Sequence, residues 1–439
     1  MPPPAPHFAQ PDDARFRSRG DACPGALRLH RADDGALARV RVPGGVLGAD
    51  QADALRELAG RLGDGELYLT SRGNVQLRGL GAECGGELAS RMYEIGLLPS
   101  ERHERVRNVV VSPLSGLDGR GERDVRPWLS VLDALVCASE EAVGLSGRFL
   151  FALDDGRGDV DALGADVTLR ARAGGDAELR IGALESVARI PGGEAPRAAL
   201  LAATVFLSMA DASGSGAWRV SDLPGGAGPL FDEVVRRLGA SGLPVARATV
   251  PVPDGAPPAL GLVAGPGGTD ALSVGLPLGR ADAARWRALT DLARDHGAGE
   301  LRLTPWRGVV VPGVRRGRAS EALDALEAVG LVTGPGSPWS GVNACVGRPG
   351  CAKSLSDVRG DAASSLRAGP PGRALPVHWS GCERRCGHPR GAWVDVVAGP
   401  DGGYRVSVVR DGERGTPVRV ADDPAALADA VAAARTPHT

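Results

Sequence analysis

Residues 43 to 70 read PGGVLGADQADALRELAGRLGDGELYLT. Apolar positions at Leu55, Leu58, Ala59 and Leu62 fall on one face of a helix that opens after a Pro/Gly turn and ends at Gly63. The period then shortens to two in Glu66-Leu67-Tyr68-Leu69-Thr70, which predicts a strand. A turn containing Arg72 and a second strand, within SRGNVQLRGL, follow. The same order returns in residues 277 to 304, PLGRADAARWRALTDLARDHGAGELRLT, with a strand at Glu300-Leu301-Arg302-Leu303-Thr304 and the arginine turn and strand PWRGVVVPGV. Aligned without gaps at an offset of 234, the copies agree at Pro43, Gly45, Ala49, Ala54, Leu55, Leu58, Ala59, Gly63, Gly65, Glu66, Leu67, Leu69 and Thr70. A match of that density indicates an internal duplication. Helix, strand, turn, strand is half of an α+β layer with an antiparallel sheet.

The similarity continues more weakly: RNVVVSPLSGLDG, from Arg107, resembles VNACVGRPGCAK, from Val342, with Asn108 opposite Asn343. In that comparison only the second copy carries cysteines, as expected if one half kept a metal site and the other became scaffold or ligand wall. Between the copies, GRFLFALDDGRGDV (147 to 160) reads as an apolar strand ending in an Asp154-Asp155-Gly156 turn, and APRAALLAATVFLSMAD (195 to 211) as a helix. Residues 212 to 219 and 250 to 270 read as loop or linker. The stretch from Ala421 to Arg435 reads as a helix capped by Asp422 or Asp423 before Pro424.

At 439 residues the chain exceeds the size of a single core, so two to four domains are expected. Hydrophobic residues at 43% and charged ones at 24% are ordinary for a globular protein. A net charge of −2 offers no global attraction for nucleic acid or membrane. The N-terminus lacks the apolar stretch of a signal peptide, and no run of about 18 apolar residues marks a membrane span, so a cytoplasmic protein is expected. Lys353 is the single lysine and the other basic side chains are arginines. A GC-rich coding bias accounts for most of that, yet arginine forks suit carboxylate-rich ligands.

Cys23, Cys84 and Cys137 stand alone in sequence and read as structural thiols. The other four form two pairs, Cys345 and Cys351 in NACVGRPGC, and Cys382 and Cys386 in SGCERRCGHP. Four thiolates suit Zn²⁺ or a [4Fe–4S] cube. The five-residue spacer between Cys345 and Cys351 is wider than zinc knuckles favour, and Gly-rich loops let backbone amides approach sulfur, so the pattern leans toward the cluster.

This quartet after a duplicated ELxLT unit, each copy followed by an Arg-Gly turn, resembles the sirohaem-dependent sulfite and nitrite reductases. Within that superfamily it is most similar to the precorrin-3B synthase branch of aerobic cobalamin synthesis. Nearly the whole chain takes part, including LTSRGNVQLRGL, RNVVVSPLSGLDG, GRFLFALDDG, ELRLTPWRGVVVPG and both cysteine motifs. The resemblance implies an α+β, pseudo-twofold fold: a ferredoxin-like half-repeat over 20–100, an α/β domain over 101–249, a second half-repeat over 250–335 and a cluster-binding α/β domain over 336–435. It implies a [4Fe–4S] cluster on Cys345, Cys351, Cys382 and Cys386, and in this branch a non-haem iron; His388 is a candidate contact to the iron or the active site, against a structural turn or cap role. It also implies an oxygenase that hydroxylates the tetrapyrrole precorrin-3A with O₂, drawing electrons from an NADH-linked or ferredoxin-like donor. Arg72, Arg78, Arg107, Asn108, Arg148, Arg307 and Arg348 are the candidates for holding the substrate's carboxylates. Sulfite reductases resemble one another in a Lys-x-Lys pair for the inorganic anion, and the matching place here is Arg148-Phe149-Leu150. Sulfite or nitrite reduction with sirohaem is therefore the second reading, and a non-catalytic Fe–S or zinc protein the third. The charged Glu383-Arg384-Arg385 inside the last cysteine loop departs from the smaller residues the resemblance leads one to expect.

Overall fold

The computed structural model describes residues 23–366, 374–389, 391–410, 412–421 and 423–436. The N-terminal stretch considered for a signal peptide and Asp422 lie outside them. Asp423 caps the helix Pro424–Arg435 by accepting from the Ala426 amide at 2.8 Å.

The duplication is visible residue for residue. Helix Ala49–Leu62 is repeated as Ala283–His296, and Gly85–Glu94 as Ala319–Ala328, each at the offset of 234 read from the sequence. Each copy builds an antiparallel sheet, but neither sheet is made by one copy alone. The first runs His30–Ala32, Gly35–Val40, Val75–Leu80, Leu67–Leu69 and then Arg280–Ala281 from the second copy. The second runs Gly261–Ala264, Thr269–Gly275, Gly308–Arg315, Glu300–Leu303 and then Val46–Gly48 from the first. The exchange is reciprocal: Val46 lies opposite Arg302, and their equivalents Arg280 and Tyr68 lie opposite each other. Both copies consequently share one core, in which Leu47, Leu55, Leu58, Trp286, Leu289 and Leu301 are buried together. Gly261–Ala264 corrects the linker reading of 250–270. A four-residue edge strand between Pro- and Gly-rich turns has too few alternating positions to register as one.

Each half also carries a mixed sheet of matching topology. Val109–Val111, Phe151–Asp154 and Val167–Ala171 are parallel neighbours, continued antiparallel by Asp176–Ile181, Ser186–Pro191 and Ala246–Thr249. Val342–Ala344, Val377–Ser380 and Trp393–Ala398 repeat the parallel trio, continued antiparallel by Tyr404–Arg410. Parallel strands need cover on both faces, hence the wholly buried Phe151–Asp154 and Trp393–Ala398. Helix Ala195–Ala212 is long and apolar enough to cross a membrane by composition, and most of it is buried against its own sheet and the helices Arg126–Ala138 and Ala227–Ala240.

Candidate functional site

The strands Val342–Ala344 and Val377–Ser380 run parallel, so their C-terminal ends deliver the two cysteine loops side by side. The Cys345 amide donates to the Trp379 carbonyl at 2.9 Å, the Gly381 amide to Cys345 Sγ at 3.3 Å, and the Leu355 amide to the Gly381 carbonyl at 2.8 Å. Gly381 is required here, since a Cβ would stand 1.7 Å from Ser354 Oγ. Burial pushes the Cys345 thiol up, amides of Gly381 and Gly347 oppose that, and Cys386 and Cys382 add to it, which puts these sulfurs within electrostatic reach. Among the described residues, no three of the four sulfurs lie within 4.8 Å of one another. Four thiols on two adjacent loops, with a backbone amide donating to one sulfur, are a set that fits a soft centre, zinc or a [4Fe–4S] cube.

The charged cysteine loop has a structural explanation. Arg385 sits at φ 48, and its Nε donates to Asp395 Oδ2 at 2.7 Å, anchoring the loop to the sheet. Glu383 pairs with Arg385 and with Arg405.

The substrate-binding candidates separate into three groups. Arg72 is part-buried and donates from Nη1 to the Gly147 carbonyl at 3.1 Å; burial and the neighbouring Arg219 and Arg41 lower its pKa to about 10. It keeps unpaired charge in a crowd of guanidiniums, as an anion site requires. Arg107 is a correction: 5% exposed, its fork grips Asp133 at 2.8 and 2.7 Å and the Leu97 carbonyl at 3.0 Å, leaving nothing for a ligand. Asn108 is likewise committed, donating to the Gly147 carbonyl at 2.6 Å and accepting from Asn74 at 3.2 Å. Arg78 is buried, bonded twice to Asp34 and once to the Gly350 carbonyl, so it too is unavailable to substrate. Arg307, at φ 59 where the first copy has Gly73 at φ 66, donates to Asn343 Oδ1 at 3.0 Å and to the Gly387 carbonyl at 3.1 Å. Arg307 on Gly387 mirrors Arg72 on Gly147, and Asn343 mirrors Asn108. Arg348 lies exposed within the cluster loop, holding the Ser354 carbonyl at 2.8 Å. Arg148 is exposed, with its guanidinium 4.4 Å from the Trp218 ring centre.

His388 is exposed and stacks on Trp393 with rings 10° apart and centroids at 5.2 Å, while Nδ1 contacts the Pro389 carbonyl. That is the packing of a turn residue, beside the last cysteine loop. Asp154 accepts from the amides of Gly156, Gly158, Val160 and Asp161, and Asp155 pairs with Arg157. The plain turn read from the sequence is what they form.

Two features escaped the sequence reading. His378 is fully buried in Val377–Ser380, with Nε2 3.2 Å from the Cys386 carbonyl and Nδ1 without a hydrogen-bond partner among the described residues. Burial, then the charge of Arg307, lowers its pKa to about 3, so the ring is neutral and donates from Nε2 to that carbonyl. The other is Arg39 and Arg41, two residues apart, converging on Cys23 Sγ at 3.6 and 3.1 Å, with Arg39 Nε and Arg41 Nη1 buried and without a hydrogen-bond partner among the described residues. Their spacing of two at the end of a strand is the signal that could have found them.

Residues 29–91 and 264–329 match the family described as the nitrite/sulfite reductase ferredoxin-like half domain. The two matched segments fall on the two half-repeats of the duplicated α+β fold. The solved structure of the NirA protein of Mycobacterium tuberculosis has the same fold, with a TM-score of 0.65 at 19% identity, covering 90% of this chain and 79% of that one. Over 412 residues, 92% of this chain and 86% of its relative, the sequence is 27% identical to a precorrin-3B synthase from Sinorhizobium sp. It is also 27% identical over 403 residues to the ferredoxin–nitrite reductase of Synechococcus elongatus, spanning 82% of this chain and 76% of that protein. The resemblance to precorrin-3B synthase within the reductase superfamily therefore stands.

Proposed function

We propose that the chain is a precorrin-3B synthase-like oxygenase, hydroxylating precorrin-3A at a meso carbon with lactone formation from a ring acetate. One atom of O₂ enters the product, and the other leaves as water after taking up two electrons and two protons. The observation that carries this choice is Arg148-Phe149-Leu150. Leu150 is buried among Val110, Ala152, Val160 and Ala165, Phe149 packs on Phe151 and Phe206, and Arg148 turns outward onto Trp218. A cation pair for a doubly charged inorganic anion has no place on this segment, since Phe149 and Leu150 are both buried in the core.

Cys345, Cys351, Cys382 and Cys386 are the residues that would hold a [4Fe–4S] cluster, which supplies one-electron transfer when bound. The chain's own part is binding and orientation. Arg72 offers an unpaired guanidinium donor to ring carboxylates, and the charges of Arg39 and Arg41 lie behind it. Asn108 and Gly147 fix the wall from which Arg72 projects. His378 holds the Cys386 carbonyl. Among the described residues the candidate set for a non-haem iron is Asp154, Asp155 and Asp159, of which the first two are engaged by amides and Arg157, and Asp159 accepts from Ser112. No step is assigned to it.

Aerobic incubation with precorrin-3A and a reductant is expected to give the hydroxylated lactone, and anaerobic incubation none; product without O₂ overturns the reading. The second reading, sirohaem-dependent sulfite or nitrite reduction, draws on the same arginines, because sirohaem also carries carboxylates. Sharp Soret and alpha bands in the purified protein favour it. An absorbance shoulder near about 400 nm that bleaches on reduction favours the cluster alone. Electrons would come from an NADH-linked or ferredoxin-like donor.

A further inference from the structure

The peptide groups on either side of Cys351 are held from the other half of the chain. The carbonyl of Gly350 accepts from Arg78 Nη2 at 3.1 Å, across 272 positions of sequence, and the amide of Ala352 donates to Asp33 Oδ2 at 2.5 Å, across 319. Arg78 is 4% exposed, and both arms of its fork meet Asp34 at 2.8 Å, so its charge is neutralised and its direction fixed. Gly350 presses against the same turn, since a Cβ there would stand 2.7 Å from Asp34 Oδ2. The other three thiols are held within the C-terminal half: Cys345 by Trp379 and Gly381, Cys382 by the Arg385 amide, Cys386 by His378.

The duplication supplies an internal control. At the offset of 234, Asp33, Asp34 and Arg78 correspond to Gly267, Gly268 and Pro312. Gly267-Gly268 closes the matching hairpin turn, and Pro312 lies on the matching strand Gly308–Arg315. The fold of the half-repeat therefore needs none of the three side chains. Only the copy that faces the cysteine loop has them.

We propose that Asp33, Asp34 and Arg78 form a latch by which the N-terminal half-repeat fixes the Cys351 loop, making retention of the metal centre depend on residues of the half that contributes no ligand. These are positioning residues, and the proposal rests on the cluster reading given above. The latch holds Cys351 in place before and after loading, so that a thiol released from iron returns to the same site.

The test is on the purified full-length protein. Asp33→Ala removes an exposed acceptor without opening the core, and Arg78→Lys keeps charge but loses the fork. Each is expected to lose visible absorbance to an iron chelator about tenfold faster than the parent, with unchanged far-ultraviolet circular dichroism. Amide exchange should rise in the segment 350–352 and not in the sheet strands Gly35–Val40 and Val75–Leu80. Asp33→Asn, which keeps an acceptor oxygen, is expected to restore slow bleaching. Parental bleaching and parental exchange in Asp33→Ala and Arg78→Lys alike overturn the latch. A parent protein without iron and acid-labile sulfide overturns the cluster reading instead, and unchanged exchange at 350–352 in the variants then still overturns the latch.

Discussion

Trp286 Nε1 donates to the carbonyl of Ala52 at 2.8 Å, and the two residues are equivalents in the duplicated sequence. The contact therefore crosses the pseudo-twofold axis and breaks its symmetry. The helices Ala49–Leu62 and Ala283–His296 approach closely where one presents a methyl and the other an indole. Two indoles would overfill the space and two alanines would leave a void. Trp286→Phe keeps most of the volume and removes the indole donor, leaving the Ala52 carbonyl only its bond within the helix Ala49–Leu62. We expect it to cost about 0.5–1.5 kcal/mol of stability, seen as a lower midpoint in denaturant, and a midpoint equal to the parent's would show the bond to be dispensable.

Arg107 and Arg72 come from neighbouring motifs and should respond oppositely to truncation. Arg107→Ala strips Asp133 of its buried partner and is expected to destabilise the fold by about 3–5 kcal/mol. Arg72→Ala is expected to leave the denaturation midpoint nearly unchanged and to weaken tetrapyrrole binding at least tenfold, measured by fluorescence or absorbance titration. The reverse pattern would return Arg107 to the ligand site.

Asp159 provides a pH dependence. Burial, then the charge of Asp154, raises its carboxyl to about 7, while its hydroxyl partner Ser112 and the charge of Arg157 pull the other way. The folded state thus binds a proton that the unfolded chain has already lost above a pH of about 4. Stability from this group is present below that pH and is lost as pH rises through about 7. Asp159→Asn is expected to flatten this decline, so that its midpoint exceeds the parent's at pH 8 and the gap closes toward pH 4. Melting curves across that range decide it, and a constant gap would assign the effect to packing.

Serine substitution of Cys345, Cys351, Cys382 or Cys386 is expected to lower iron and acid-labile sulfide together, while Cys84→Ser leaves both at the parental level. Iron without sulfide, or zinc in their place, would replace the cluster with a mononuclear centre.

Much of this was legible in the chain because duplication and ligation leave regular traces. The offset that aligns PGG and ELxLT also aligns the helix ends, and the cysteine loops follow parallel strands that end together. What stayed hidden was the choice of partner. Arg107 and Arg72 are alike in sequence, and nothing local says that Asp133, on a helix 26 positions away, will claim one of them. His378 hides for a related reason: in VHWS every position is buried, so alternation gives no hint that this ring meets Cys386. The exchanged strands Val46–Gly48 and Arg280–Ala281 are too short to show a period, and their partners lie in the other copy.

That exchange has a consequence for the chain's ancestry and for any attempt to divide it. Two half-repeats that each lend the other an edge strand have the form of an intertwined homodimer whose subunits became joined end to end. A contact of the kind that joins two molecules is here interior to one chain, and so is not subject to dilution. Once the partners were tethered, mutation could treat them differently: one copy turned toward the thiols and the other grew Trp286 across the axis. A cut in the segment before Gly261 should yield two pieces that recover their sheets only in each other's company.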